Sequence, residues 1–121
     1  MAAHNDFGSA GEQLAADFLQ KKGYCIRHRN WRAGRNELDI VAEKNGELVV
    51  VEVKSRKDNT YGNPYEAIDG RKIRRIVSAT DTYLKAFSLD LFVRFDIITV
   101  TGNDGNYNIE HIEDAFYPPL W

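Results

Sequence analysis

Cysteine is nearly absent from this chain. Its one thiol, Cys25, cannot form an internal disulfide, which excludes the stapled scaffolds of small secreted proteins and leaves a hydrophobic core to supply stability. Cys25 itself is expected to be a small buried apolar residue beside Ile26 rather than a catalytic thiol. Histidines are few, and His4, His28 and His111 show no metal-ligand spacing, so no zinc site is expected. Apolar runs are only a few residues long, far short of the ~20 that cross a bilayer. The opening MAAHNDFGSAGEQ lacks the charged and apolar regions of a signal peptide, so the expected location is cytoplasmic. Repeats and low-complexity segments are also missing, and 121 residues with 43% hydrophobic content read as one domain, residues 1–121. Residues 1–7 and 113–121 are expected to be termini, flexible or packed down, the latter through Phe116, Tyr117 and Trp121.

Excess charge of one sign is missing too. The net charge of −2 argues against bulk electrostatic coating of nucleic acid, but the charges are segregated along the chain. Lys21, Lys22, Arg27, Arg29, Arg32 and Arg35 form a basic stretch without an acid, and Arg71-Lys72-Ile73-Arg74-Arg75 forms a second. After Arg94 the charged side chains are acidic. Either basic cluster is a solvated surface or a set of phosphate contacts.

Leu14, Ala15, Phe18 and Leu19 recur at helical spacing and predict a helix over Ser9 to Lys22, stopped by Gly23. Ser9-Ala10-Gly11-Glu12 fits a capping box with Ser9 as N-cap. Tyr24 to Trp31 alternates as a strand, with Arg27 and Arg29 opposite Tyr24 and Ile26. A loop, Arg32 to Asn36, leads to strands at Glu37–Glu43 and Glu47–Lys54. The polar segment Arg56 to Pro64 reads as a loop, and about Tyr65 to Phe87 as a helix with Ile73, Ile76, Val77, Thr80, Tyr83, Leu84 and Phe87 on one face. Leu91–Val100 and Tyr107–Ile112 complete the set as strands around the turn TGNDGN. The order is α-β-β-β-α-β-β, an α/β class.

ELVVVEVKSR, residues 47–56, joins a buried valine run to Glu52 and Lys54. Asn45-Gly46 between apolar strands is a strong signal for a two-residue hairpin. Opposed residue numbers then sum to 91, which sets Asp39 against Glu52 and Glu37 against Lys54 on one face, with Leu38, Ile40, Ala42, Val49, Val51 and Val53 on the other. Like charges so opposed are destabilising. Either Lys54 neutralises them as a salt-bridge network, or they hold a divalent cation, for which a few carboxylates plus water and substrate phosphate make an open Mg²⁺ site.

Asp39 followed, after the hairpin turn, by Glu52-Val53-Lys54 resembles the PD-(D/E)xK signature of restriction-endonuclease-like nucleases. Gly11-Glu12, Arg29-Asn30-Trp31-Arg32, Glu37-Leu38-Asp39, Val51-Glu52-Val53-Lys54-Ser55-Arg56 and Arg94-Phe95-Asp96, in that order, resemble the YraN-like family of uncharacterised bacterial proteins over Gly8 to Val100. Leu38 departs from the proline of the superfamily name, and Asn36 from a usual glycine. The resemblance implies a central mixed five-stranded sheet flanked by helices and metal-dependent phosphodiester cleavage. Its archaeal Holliday-junction resolvase branch adds an acid on the first helix. Carried over by position, Asp39 and Glu52 are implied as ligands of Mg²⁺ or Mn²⁺, with Glu12 as an added ligand that competes with its capping role. Lys54 is implied to orient the attacking water or stabilise charge, and Glu37 is an accessory candidate.

The expected function is therefore a nuclease acting on nucleic acid, DNA first, with branched or single-stranded forms as candidate substrates. Arg27, Arg29, Arg32, Arg35, Arg56, Lys72, Arg74 and Arg75 are the candidate phosphate contacts. Trp31, Tyr61 and Tyr65 either stack on unpaired bases or pack internally. A homodimer would suit cleavage of paired strands. The alternative is a non-catalytic nucleic-acid-binding or partner-binding module on the same fold. A glycosidase, which also uses paired carboxylates, would leave Lys54 without a task.

Overall fold

Val49, Val50 and Val51 are all buried, and alternation along the strand deals them to two different apolar layers. The computed structural model describes residues 6–56, 68–103 and 106–118. Its elements are α1 (Asp6–Lys21), β1 (Cys25–Ala33), β2 (Asn36–Lys44), β3 (Glu47–Arg56), α2 (Gly70–Ala86), β4 (Phe92–Asn103) and β5 (Asn106–Ile112). The strands form one five-stranded sheet in the order β1-β2-β3-β4-β5. It is mixed, since β3 and β4 run parallel and the other neighbours antiparallel. The parallel pair requires a long crossover, and α2 lies within it.

Ala15, Ala16 and Leu19 of α1 pack with Ile40, Ala42, Val49, Val51, Ile98 and Val100. Ile76, Ala79 and Tyr83 of α2 pack with Leu38, Val41, Leu48, Val50 and Phe95. A sheet covered by helices on both faces reads as continuous apolar runs, which accounts for the valines. No helix among the described residues is long and apolar enough to cross a membrane.

The 45–46 turn is as expected. Asn45 and Gly46 both have positive φ, 52° and 80°, which the tight turn demands at both central residues. The β2–β3 pairs run from Lys44–Glu47 to Ile40–Val51, each summing to 91. A second two-residue turn, Gly34-Arg35, replaces the longer loop expected at 32–36, with Ala33 paired to Asn36.

Several expectations are corrected. Helix α1 spans Asp6–Lys21, so positions 9 and 12 lie inside it rather than at an N-cap and a third helical position. Its C-terminus behaves as expected: Gly23 takes φ 92° and Tyr24 N–H donates to the Leu19 carbonyl at 3.0 Å. Helix α2 starts at Gly70, one residue after an Asp69 cap, and the expected start at Tyr65 falls outside the described residues, as do Tyr61 and Trp121. A register shift between Ile26 and His28 marks a bulge on β1. Arg27 therefore reaches Tyr83 of α2 while Arg29 reaches Gln13 of α1, rather than sharing a face. Leu38 and Ile40 also separate, into the α2 and α1 layers respectively, because β2 changes its facing near Asp39. Cys25 is exposed at the start of β1. Phe116 stacks on Phe95 at 5.2 Å, but Tyr117 is 70% exposed and does not pin the tail.

Candidate functional site

Asp39 ends the regular β2–β3 ladder. Beyond Ile40–Val51 its carboxylate Oδ2 accepts from Val53 N–H at 2.9 Å, a side chain taking the place of a strand carbonyl. The expected Asp39–Glu52 and Glu37–Lys54 pairs lie past the end of that ladder. Here the strands part, and an open cleft of about 320 Å³ is lined by Glu12, Asp39, Glu52, Val53, Lys54, Ser55 and Lys72. The first acid pair thus meets at one cleft, without the flat cross-strand geometry of an ideal hairpin.

Glu52 is only 5% exposed, a burial that a carboxylate tolerates when paired. Its Oε2 lies 2.9 Å from Lys72 Nζ and 3.7 Å from Lys54 Nζ. Burial, followed by the charge of Glu52, lifts the Asp39 carboxyl to about 7, so near neutrality it holds a proton or calls for a cation. Burial alone would lower the affinity of Lys72 for its proton, but the Glu52 and Asp39 carboxylates outweigh it and hold the ammonium charged.

Gly11 lets α1 approach β3 closely, since a Cβ there would stand 1.8 Å from Ser55 Oγ. The next residue, Glu12, consequently reaches the cleft from the α1 layer while Lys72 reaches it from α2. Glu12 is raised by burial, against an Asn30 hydrogen bond and the Arg29 guanidinium, whose Nη2 is 4.0 Å from Oε1.

A second cleft of about 220 Å³ adjoins the first, sharing Asp39 and Lys72 and adding Arg32, Arg35, Asn36, Glu37, Arg75 and Ile76. Glu37 lies there, 3.6 Å from Arg32 Nη2, rather than beside Lys54. Arg32 and Arg35 thus join Lys72 and Arg75 from the other basic cluster. Arg27 does not join them: its guanidinium donates to Tyr83 Oη and Glu43 Oε1. Arg29 is held by Gln13 and Glu12, Arg56 ends β3, and Arg74 is exposed on α2. Trp31 packs edge-on against Tyr83 at 5.0 Å, so packing accounts for it.

Among the described residues the other buried acid, Asp96, is fully enclosed and fully satisfied. It accepts from Arg94 Nε and Nη2 at 3.0 and 2.8 Å and from Asp114 N–H at 3.1 Å, and its Oδ2 lies 2.7 Å from His111 Nε2. Arg94 also donates to the Tyr24 hydroxyl. Despite burial, the His111 and Arg94 contacts hold Asp96 below the usual carboxylate range. This is a structural brace between β4, β5 and the chain after α1.

Residues 11–100 match the model of the uncharacterised protein family UPF0102. The chain belongs to this family. It is similar to a UPF0102 protein of Phocaeicola vulgatus, 60% identical with all of both chains covered. A UPF0102 protein of Bacteroides thetaiotaomicron is 57% identical, again over the whole of both. A UPF0102 protein of Flavobacterium psychrophilum is 47% identical over 97% of this chain and 98% of its own. The UPF0102 match begins at Gly11 and spans Glu12, Asp39, Glu52, Lys54 and Lys72.

Among the described residues, no three His, Cys, Asp or Glu side chains stand together as a cage for an ion. Two carboxylates on an open, polar cleft instead suit Mg²⁺ or Mn²⁺, which keep several waters and take substrate oxygen as further ligands. The raised Asp39 agrees with that fit. Lys72 at Glu52 is the feature the sequence did not reveal, since it follows from where α2 begins.

Proposed function

We propose that the protein is a divalent-metal-dependent nuclease of the restriction-endonuclease-like, PD-(D/E)xK kind, hydrolysing phosphodiester bonds in DNA. The observation that carries this reading is the meeting of Asp39, Glu52 and Lys54 at a cleft that opens onto a second one lined by Arg32, Arg35 and Arg75. Asp39 and Glu52 would hold Mg²⁺ or Mn²⁺, which supplies a bound water of lowered pKa and draws charge from the phosphate. Lys54, on the strand that carries Glu52, orients the attacking water or stabilises the charge that develops on phosphate oxygen. Glu12 adds a third carboxylate when it turns from Arg29 and Asn30. Arg32, Arg35 and Arg75 bind neighbouring phosphates, which gives affinity without reading sequence. Two copies acting together would cut paired strands.

The test is cleavage of single-stranded, duplex, flapped and four-way-junction DNA, and of RNA, with Mg²⁺ or Mn²⁺. Metal-dependent cleavage of at least one DNA form, lost in Asp39→Ala, is expected. Turnover no greater than that of Asp39→Ala would overturn the reading.

One observation favours a second reading, a non-catalytic nucleic-acid-binding or partner-binding module. The ammonium groups of Lys72 and Lys54 already stand against the Glu52 carboxylate, so its charge is balanced without a metal ion. Binding of the same DNA panel without turnover is its signature.

A further inference from the structure

Lys72 belongs to both clefts. Its Nζ lies 2.9 Å from Glu52 Oε2, yet the side chain also lines the cleft of Arg32, Arg35 and Arg75. An ammonium and a divalent ion compete for the same carboxylate oxygen, so occupation of the acid pair must displace one lysine. Lys54 is the less exposed and the more distant of the two: it sits on β3 with its side chain 26% exposed and its Nζ 3.7 Å from Oε2, against 40% and 2.9 Å for Lys72. The backbone of Lys72 is anchored independently, its N–H donating to the Asp69 carboxylate at 2.9 Å. Only side-chain torsions need change for the ammonium to leave Glu52.

Where it goes determines the consequence. Released from Glu52, Lys72 has the guanidinium-lined cleft as its neighbour, where another positive charge is unfavourable until an anion arrives. A phosphate in that cleft offsets the repulsion, so the two binding events favour each other.

Resting on the nuclease reading above, we infer that Lys72 is an exchangeable counter-cation that couples loading of the acid pair to arrival of the phosphodiester. It clamps Glu52 when the site is empty and moves to the phosphate when a divalent ion takes Glu52. This makes Lys72 a positioning residue distinct from Lys54, which stays with the strand of the acid pair.

The experiment is Mn²⁺ titration followed by electron paramagnetic resonance of the free ion. It compares the unsubstituted protein, Lys72→Met, Lys72→Gln and Asp39→Asn, each with and without a cleavage-resistant phosphorothioate DNA oligonucleotide. Unfolding curves confirm that each variant folds. Removing the competitor should tighten Mn²⁺ binding without DNA about tenfold, within the usual range of coupling between sites. The oligonucleotide should tighten Mn²⁺ binding severalfold in the unsubstituted protein and clearly less in both Lys72 variants. Unchanged or weaker Mn²⁺ binding in those variants, with Asp39-dependent binding in the parent, overturns the role of Lys72 and leaves the metal reading standing. No Asp39-dependent Mn²⁺ binding in any form overturns both.

Discussion

Asp39, half-buried, and Asp96, fully buried, behave oppositely, and the difference lies in their partners. Asp39, with Glu52 nearby, has its carboxyl lifted to about 7 by burial and by that neighbouring charge. A folded-state pKa above the unfolded value of about 3.8 means that the folded form binds the proton more tightly. In chelator, this contribution to stability is full below about 3.8 and is lost as the pH rises through about 7. Asp39→Asn retains an oxygen to accept from Val53 N–H and carries no charge. Measured by urea unfolding in chelator, its stability should gain on the parent as pH rises from about 4 to about 7, and in chelator-free buffer Mn²⁺ should stabilise the parent alone. A large loss in Asp39→Asn at pH 8 would show that the charge is structural. Asp96 is the converse case, held low by His111 and Arg94 against burial, so its contribution is present above the unfolded carboxylate range and is lost as the pH falls. Asp96→Asn breaks a buried, hydrogen-bonded pair and should cost about 3–5 kcal/mol at neutral pH, a loss that narrows on acidification. Asp39 and Glu52 were legible because a two-residue turn converts numbering into proximity. Lys72 was legible as a candidate phosphate contact, but its approach to Glu52 was not, since that depends on α2 starting at Gly70.

At the level of elements, the close contact of α1 with β3 brings Glu12 to the cleft. Alanine at position 11 would gain helix propensity of about 1 kcal/mol, but its Cβ must displace Ser55. Overpacking of this kind costs about 1–3 kcal/mol, so Gly11→Ala is expected to be destabilising. Ser55→Gly should restore part of the loss, giving a non-zero coupling in a double-mutant cycle read by denaturant unfolding. Strict additivity would place the two residues out of contact. The start of α1 was misread because Ser9-Ala10-Gly11-Glu12 makes a sound local capping pattern, although the helix runs through it from Asp6. The faces of β1 were misread for a different reason. A bulge near Arg27 and a positive φ of 52° at Asn30 break the period of two on which any assignment of faces depends.

Over the whole molecule, the small negative net charge coexists with a local cationic cleft made from two sequence clusters that fold together. The order of helices and strands was legible because each has a clear period and its own stop signals. The joining of Arg32 and Arg35 to Arg75 was not, because it arises from the packing of α2 on the sheet. Binding of DNA should weaken with salt, and Arg35→Ala or Arg75→Ala should each reduce the slope of log K against log salt by about 0.7–0.9. Arg27→Ala should leave that slope unchanged, since its guanidinium serves Glu43 and Tyr83. Fluorescence anisotropy across a salt series measures both, and equal effects from all three would mean that the cleft is not the DNA path. The central claim is that Asp39 and Glu52 share one divalent ion. The most direct measurement is anomalous diffraction from crystals grown with Mn²⁺: the account predicts a peak about 2 Å from an oxygen of each carboxylate, with Lys72 drawn off Glu52. An absence of any peak between those carboxylates at saturating Mn²⁺, with Lys72 still on Glu52, would contradict it.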